Sequence, residues 1–232
     1  MDASEIPDEI PDDIAAVIAE CWPEGVVGEF DTDESYFHDI RPALERDLKR
    51  IPGAALMWQT EMEDDGGGWQ SYHVFFVAPQ EDEFEFDTET ENVAEPEEPG
   101  AEQIAVTSAG KGWYGCVVAV SYAASFAAMN LGELAEFDDG SAQLPDIVSY
   151  AYSEENGEPV DIDAEYLDIL GEDAFRKLDD LRASIAKVLA KHEVGVLDQA
   201  ILDLPAPDLS PDSAVLADGP LLVRDAFFFR GV

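Results

Sequence analysis

One glycine-rich segment has the spacing of a dinucleotide-binding loop. Gly110, Gly112 and Gly115 satisfy the G-x-G-x-x-G pattern, and Lys111 lies between the first two glycines. In a dinucleotide-binding fold a helix must follow these glycines, because its N-terminus binds the pyrophosphate. Here the next five residues read Cys-Val-Val-Ala-Val, which is typical of a strand. The segment therefore predicts a hairpin turn at 110–112, with Lys111 paired to neighbouring carboxylates.

A Ser-x-x-Lys pattern has the spacing that penicillin-recognising enzymes use for a serine nucleophile. It consists of Ser184 and Lys187. In those enzymes the serine opens a helix, and Ser-Asp-Asn and Lys-Thr-Gly motifs complete the site. Ser184 instead falls in the middle of a strong helical pattern, and the chain contains neither companion motif. We therefore interpret Ser184 as an ordinary helical residue.

An acidic segment has part of the spacing of a calcium-binding loop. Acids occupy positions one, three, five and twelve of such a loop, namely Asp161, Asp163, Glu165 and Glu172. Position six requires glycine for its sharp turn, and this chain has Tyr166 there. The segment instead predicts an acidic entry to a helix, with the following apolar residues in the core: Leu167, Ile169 and Leu170.

The histidines and cysteines show no metal-binding spacing. His38, His73 and His192 are isolated in sequence, without a His-x-x-x-His, Glu-x-x-His or Cys-x-x-Cys pair. The sequence therefore predicts no metal centre and no bound cofactor. Cys21 and Cys116 lie far apart, so we expect each to pack as a small apolar residue. A catalytic triad or a carboxylate pair that forms only in space would leave no local pattern.

Charge is the strongest feature of the composition. The chain has 232 residues, with 12 Lys and Arg against 53 Asp and Glu, and its formal net charge is −41. Between Arg50 and Arg176 the only basic residue is Lys111, against 29 acids. Proteins bind nucleic acids and anionic lipids through Lys and Arg, so we expect no direct binding to nucleic acid or to membranes. The acidity indicates either adaptation to salt or a face that binds a basic partner.

The most regular acidic segment has a period of two. Between residues 84 and 91, Phe and Thr alternate with carboxylates, which is typical of a strand with one buried face. Successive carboxylates on the other face lie about 6–7 Å apart, roughly the spacing of phosphates along one DNA strand. The candidate partner-binding residues are this row and two flanking acidic clusters: Glu85, Asp87, Glu89, Glu91, Glu61, Glu63, Asp64, Asp65, Glu95, Glu97 and Glu98.

Helical and strand periods alternate along the chain. Helices are predicted at 12–21 and at 172–192. A third predicted helix is capped by Asp39, has Pro42 in its first turn and ends before Pro52-Gly53. Strands are predicted at 54–62, 69–78, 84–91, 102–109, 113–122, about 130–137 and 221–229. A loose acidic arm is expected at 1–11, with Pro-rich loops at 92–101 and 204–211.

Together these elements predict one α+β domain over residues 1–232. Its central sheet should be largely antiparallel, because the connections are short, with about five to seven strands. We expect helices from the N-terminus and from the C-terminal half to pack on this sheet. The N-terminal residues do not have the pattern of a signal peptide, and no apolar run reaches 18 residues, so we expect a cytoplasmic protein.

The function predicted from these features is a non-enzymatic acidic protein that binds a basic protein partner. An inhibitor, an immunity-type protein or a nucleic-acid mimic would fit. The alternative is an enzyme with a salt-adapted surface and a site assembled in space. A binding protein should concentrate its carboxylates on one face, whereas salt adaptation should scatter them over all faces. The oligomeric state is left open.

Overall fold

A computed structural model describes residues 9–28, 35–59, 71–80, 83–90, 106–137, 142–143, 162–211 and 221–228. The helices are α1 (Asp12–Cys21), α2 (Tyr36–Leu48), α3 (Ile162–Leu170), α4 (Glu172–Lys191), α5 (Gln199–Leu202) and α6 (Val223–Phe227). The strands are β1 (Val26–Val27), β2 (Ala54–Gln59), β3 (Tyr72–Pro79), β4 (Glu83–Thr90), β5 (Val106–Ser121), β6 (Phe126–Phe137), β7 (Ala142–Gln143), β8 (Gly195–Val196) and β9 (Ser210–Pro211).

The central sheet is built around β5, its longest strand. The first half of β5 pairs with β4 and the second half with β3, so β3 and β4 run end to end along one edge. Strand β6 pairs along the other edge, β2 lies outside β3, and β7 and β8 extend β6. All these pairs are antiparallel except β6 with β8. The predicted α+β architecture is confirmed, with a mixed sheet that is largely antiparallel.

Helices cover both faces of this sheet. On one face Val74 and Phe76 of β3 pack against α1, α5 and α6, which we call the α1 layer. On the other face Phe75 and Val77 pack against α2, α3 and α4, which we call the α4 layer. Strand β3 is consequently buried on both sides, which explains its nearly continuous run of apolar residues.

The predicted hairpin turn at 110–112 is wrong, because β5 runs straight through these residues. Gly112 lies opposite Phe84 of β4 and opposite Ala135 of β6. A Cβ on Gly112 would come within 2.2 Å of the Phe84 ring. Glycine is therefore needed here for the close approach of an aromatic ring and not for a positive φ. The two strands predicted on either side are one element.

The helix predictions are confirmed for α1 and α4, and the start of α2 is corrected. Ser35 caps α2, and its hydroxyl accepts a hydrogen bond from the His38 N–H at 3.1 Å. Asp39, the predicted cap, instead lies in the first turn, and Pro42 lies further inside the helix. In α4 the buried residues recur at helical spacing, namely Leu178, Leu181, Ile185 and Leu189.

The predicted C-terminal strand is wrong, because Val223–Phe227 forms the short helix α6. The Asp225 carboxylate accepts a hydrogen bond from the Leu222 N–H at 2.7 Å, which caps this helix. Phe227 and Phe228 are buried in the α1 layer, so the apolar run packs on a face of the sheet and does not extend it. The strand pairing of Leu222 is limited to an isolated bridge with Pro205.

Three smaller differences concern segments predicted as irregular or as core. The Pro-rich segment 204–211 contains β9, which pairs in parallel with β1. Ile10, in the predicted arm, packs against the apolar cluster of the α1 layer. In α3 the buried residue is Tyr166, whereas Leu167 and Ile169 are 38% and 57% exposed, so their predicted core position is wrong. Residues 1–8 and 92–101 lie outside the described residues.

Within the described ranges, no helix combines the length and the apolar character needed to cross a bilayer.

Candidate functional site

The acidic row begins on β4 at the end of the sheet that lies beyond β3. Glu83 lies opposite Trp113 of β5, and Glu85 lies opposite Lys111. Side chains at paired positions share a face, so both glutamates lie on the same side as Lys111 and Trp113. Both glutamates are exposed, whereas Phe84 between them is half-buried. The structure agrees with the predicted alternation at Phe84 and Glu85, and Glu83 extends it by one step toward the N-terminus.

Lys111 lies among carboxylates from two neighbouring strands. Its Nζ donates to Glu83 Oε1 at 2.6 Å, and Glu136 of β6 lies opposite it in register. The hydrogen bond to Glu83 raises the pKa of Lys111, and the charges of Glu83, Glu85 and Glu136 add to this effect. The predicted pairing of Lys111 is confirmed. One lysine among three glutamates leaves this end of the sheet negatively charged.

An aromatic stack holds β4 in this register. The Phe84 ring lies over Gly112 and stacks on Tyr114, with ring centroids 4.6 Å apart. Tyr114 in turn meets Tyr166 of α3 edge to face at 6.0 Å. On the same strand pair Tyr114 lies opposite Glu133, and burial raises the pKa of both groups. Glu83 and Glu85 therefore project from a strand whose opposite side is fixed by the packing of Phe84.

The remaining members of the predicted binding set are only partly described. Asp87 and Glu89 occupy the next alternate positions of β4, opposite Ala109 and Thr107. The other predicted residues lie outside the described residues: Glu91, Glu61, Glu63, Asp64, Asp65, Glu95, Glu97 and Glu98.

His73 is a core residue of β3. It is fully buried between Phe37 and Phe75, whose ring centroids lie 5.2 and 4.6 Å from its own. The Tyr122 hydroxyl lies 3.4 Å from its Nδ1. Burial lowers the pKa of His73 to about 3, so the imidazole is neutral at neutral pH. Four surface clefts within the described ranges have no histidine in their lining.

His192 takes part in a polar contact between two helices. Asp47 of α2 accepts from Lys191 Nζ at 2.6 Å, and its Oδ2 lies 2.9 Å from His192 Nε2. The hydrogen bond from Lys191, followed by that from His192, lowers the pKa of Asp47 to about 2. The Tyr36 hydroxyl also donates to the His192 carbonyl. This cluster joins the start and end of α2 to the end of α4.

The serine and calcium-loop patterns have structural explanations. Ser184 lies in the middle of α4, and its hydroxyl donates to the Asp180 carbonyl at 2.8 Å. Asp163 of α3 is held by both terminal nitrogens of Arg182, at 2.8 and 2.9 Å. Among the described residues, no group of three or more His, Cys, Asp or Glu has the arrangement of a metal site.

Charge differs strongly between the two helix layers. The α4 layer with its flanking segments, residues 35–51 and 162–196, carries eleven acidic and nine basic residues. The α1 layer with its flanking segments, residues 9–28, 198–211 and 221–228, carries nine acidic residues and one basic residue. Glu83 and Glu85 lie on the side of the sheet that the α1 layer covers. We call this side the acidic face. It comprises the α1 layer with its flanking segments, Glu83 and Glu85 of β4, and Glu136 of β6.

A cleft opens in the acidic face between α1 and residues 206–209. It has a volume of about 380 Å³, with walls that include Ile18, Trp22 and Leu209. Glu24 and Asp208 also line it, and both are exposed. These two acids are far apart in sequence and come together through the pairing of β1 with β9.

Comparison with protein-family models, with curated proteins and with solved structures finds no match to this chain. The function must therefore be inferred from the chemistry of the acidic face.

Sequence reasoning missed part of this face. Glu83 continues the alternation one step before Glu85, and that signal was present in the sequence. Glu136 joins the group only through the pairing of β5 with β6. No local pattern relates Glu24 to Asp208, because they line one cleft only through the pairing of β1 with β9.

Proposed function

We propose that this chain is a non-enzymatic binding protein whose acidic face engages a basic protein partner. The observation that carries the proposal is the unequal charge of the two helix layers with their flanking segments, nine acids to one base against eleven to nine. A surface adapted only to salt has no physical reason to spare one layer. A surface that binds a cationic partner gains from collecting its carboxylates on one side.

Rigid presentation of the carboxylates also supports the proposal. Glu83 and Glu85 project from a strand whose other side is packed through the Phe84–Tyr114 stack. Carboxylates on a fixed strand lose less conformational entropy on binding than carboxylates on a loose segment. The regular spacing along β4 suits a partner with a row of Lys or Arg, including a protein that binds nucleic acid. An inhibitor, an immunity-type protein and a nucleic-acid mimic share this chemistry.

Capture from host cells tests the proposal. The first variant, called the β4 variant, neutralises the four acids of β4 with Glu83→Gln, Glu85→Gln, Asp87→Asn and Glu89→Gln. A matched variant makes the same change in charge on exposed positions of the α4 layer, with Glu165→Gln, Asp168→Asn, Glu172→Gln and Asp180→Asn. Parent and variants serve as baits under identical conditions, and circular dichroism confirms that each is folded.

We expect the parent and the α4-layer variant to retain the same basic protein, and the β4 variant to lose most of it. Equal retention by all three baits would remove β4 from the interface. Capture of partners without a basic surface would contradict the proposed chemistry.

A further inference from the structure

The cleft between α1 and residues 206–209 supplies what a purely electrostatic surface lacks, a pocket for an anchoring side chain. Charged rows accelerate association, but the binding energy of protein interfaces is concentrated in a few side chains that fill pockets. Here a largely apolar recess opens within the α1 layer, and two exposed acidic residues, Glu24 and Asp208, are among those that line it.

The walls of this cleft are fixed by hydrogen bonds of the surrounding backbone. Trp22 Nε1 donates to the Ala226 carbonyl at 2.9 Å, which ties the indole to α6. The Ser210 N–H donates to the Gly25 carbonyl at 2.8 Å, which joins the two sides. Gly25 has a φ of +69°, and a Cβ there would lie 2.7 Å from the Asp208 carbonyl oxygen. This close approach fixes the backbone of Gly25, the residue after Glu24, against the backbone of Asp208.

We propose that this cleft binds an arginine side chain of the basic partner. The aliphatic stem of arginine can pack on Ile18 and Leu209 while its guanidinium reaches the exposed carboxylates of Glu24 and Asp208. A planar guanidinium also forms paired hydrogen bonds with carboxylates, a geometry that an ammonium group does not have. The inference rests on the proposed function, since it names the anchor by which the partner is held.

The chain's own first eight residues are a poor occupant. They contain Asp2, Glu5 and Asp8 and no Lys or Arg, so their side chains repel the carboxylates of the cleft. An acidic or neutral ligand has no charge complementarity with Glu24 and Asp208. A cationic side chain is the occupant that the charge favours.

The test uses a blocked tetra-arginine peptide as the probe, with an N-acetyl and a C-amide group. Ala19→Leu fills the cleft from an exposed position of α1 without changing charge. Ala16→Leu is the matched control, because Ala16 is exposed on the same helix and does not line the cleft. Ala and Leu have similar helix propensities, so both variants should remain folded. Affinity is measured by calorimetry, and the Trp22 indole N–H is followed by NMR.

We expect the peptide to shift the Trp22 indole resonance of the parent protein. Ala19→Leu should weaken the affinity at least fivefold, whereas Ala16→Leu should change it less than twofold. Glu24→Gln combined with Asp208→Asn should also weaken binding and reduce its dependence on NaCl. A blocked tetra-lysine peptide should bind less tightly than tetra-arginine.

Equal affinity of the parent and Ala19→Leu, or an unmoved Trp22 resonance, would overturn the inference. Equal affinity for the two peptides would show that charge alone acts and would overturn the choice of arginine. Two further outcomes distinguish a failure of this inference from a failure of the proposed function. If the β4 variant loses a basic partner that Ala19→Leu keeps, the acidic face stands without the cleft. If the peptide occupies the cleft but no basic protein is captured, the cleft stands and the proposed partner does not.

Discussion

The register of β4 on β5 determines which carboxylates stand beside Lys111, and Gly112 provides a direct test of it. Replacing Gly112 by Ala would place a Cβ 2.2 Å from Phe84 Cζ and 2.5 Å from a second ring carbon. The ring must then move, and it loses its stack on Tyr114 and part of its burial. Such a stack contributes about 0.5–1.5 kcal/mol, and inserting a carbon into a packed site costs about 1–3 kcal/mol. We expect Gly112→Ala to destabilise the protein by about 1–2 kcal/mol.

Removing the ring should reverse this effect. In a Phe84→Ala background the new methyl group no longer meets the ring, and alanine is favoured over glycine in a strand by about 0.5–1 kcal/mol. Gly112→Ala should therefore be neutral or stabilising there. The double-mutant cycle should give a coupling of more than about 1 kcal/mol between the two positions.

Urea denaturation followed by circular dichroism measures all four proteins of the cycle. Gly53→Ala is the control, because Gly53 has a φ of +74° and nothing lies within 4 Å of its ideal Cβ. Its cost comes from backbone strain and should be the same with or without Phe84. If the effects of Gly112→Ala and Phe84→Ala add within about 0.5 kcal/mol, the ring does not lie over this glycine. The placement of Glu83 and Glu85 beside Lys111 would then be wrong.

Three further predictions concern charge. Lys111→Ala should lower the melting temperature by no more than about 2 °C, because its ion pair with Glu83 is exposed. Neither the parent nor this variant should bind ATP or NAD, and nucleotide binding by the parent that disappears in the variant would contradict us. Raising NaCl from low concentration to about 1 M should raise the melting temperature, because screening weakens self-repulsion of the net charge; a flat or falling response would refute that reasoning. Hydrogen bonds from Lys191 and then His192 lower the pKa of Asp47 from 3.8 to about 2. The ionised carboxylate therefore stabilises the fold above pH 4, and this contribution is lost as the pH falls from about 4 to about 2. Asp47→Asn should thus be less stable than the parent at pH 6, with a difference in urea midpoint that closes over that range; a difference independent of pH would exclude the carboxylate as its cause.

The sequence predicted correctly those elements that have one side toward the core and the other toward solvent, because their apolar residues then repeat with the period of a helix or a strand. Helix α4 has one side toward the core and the other toward solvent, and its predicted bounds, 172–192, differ from the observed Glu172–Lys191 by one residue. Strand β4 alternates for the same reason at Glu83, Phe84 and Glu85. That alternation is the pattern from which the carboxylates of this segment are predicted to form a partner-binding surface.

The errors arose where tertiary contacts outweighed local preference. Glycines at 110–112 resemble a turn, but Phe84 from a neighbouring strand requires the missing side chain at Gly112. The apolar run at 221–229 resembles a strand, but the Asp225 cap turns part of it into a helix that packs on the sheet. The cleft and the contrast between the two layers depend on which elements meet in space. No window of sequence contains that information.

The association rate between the basic partner and this chain tests the central claim most directly. It is measured by stopped-flow over NaCl concentrations from about 0.05 to 0.5 M, for the parent, the β4 variant and the α4-layer variant with equal net charge. We expect the rate of the β4 variant to be lower than that of the parent and less dependent on salt, while the α4-layer variant behaves like the parent. Equal reductions in the two variants would show that only the total charge matters, and would contradict a binding surface on the acidic face.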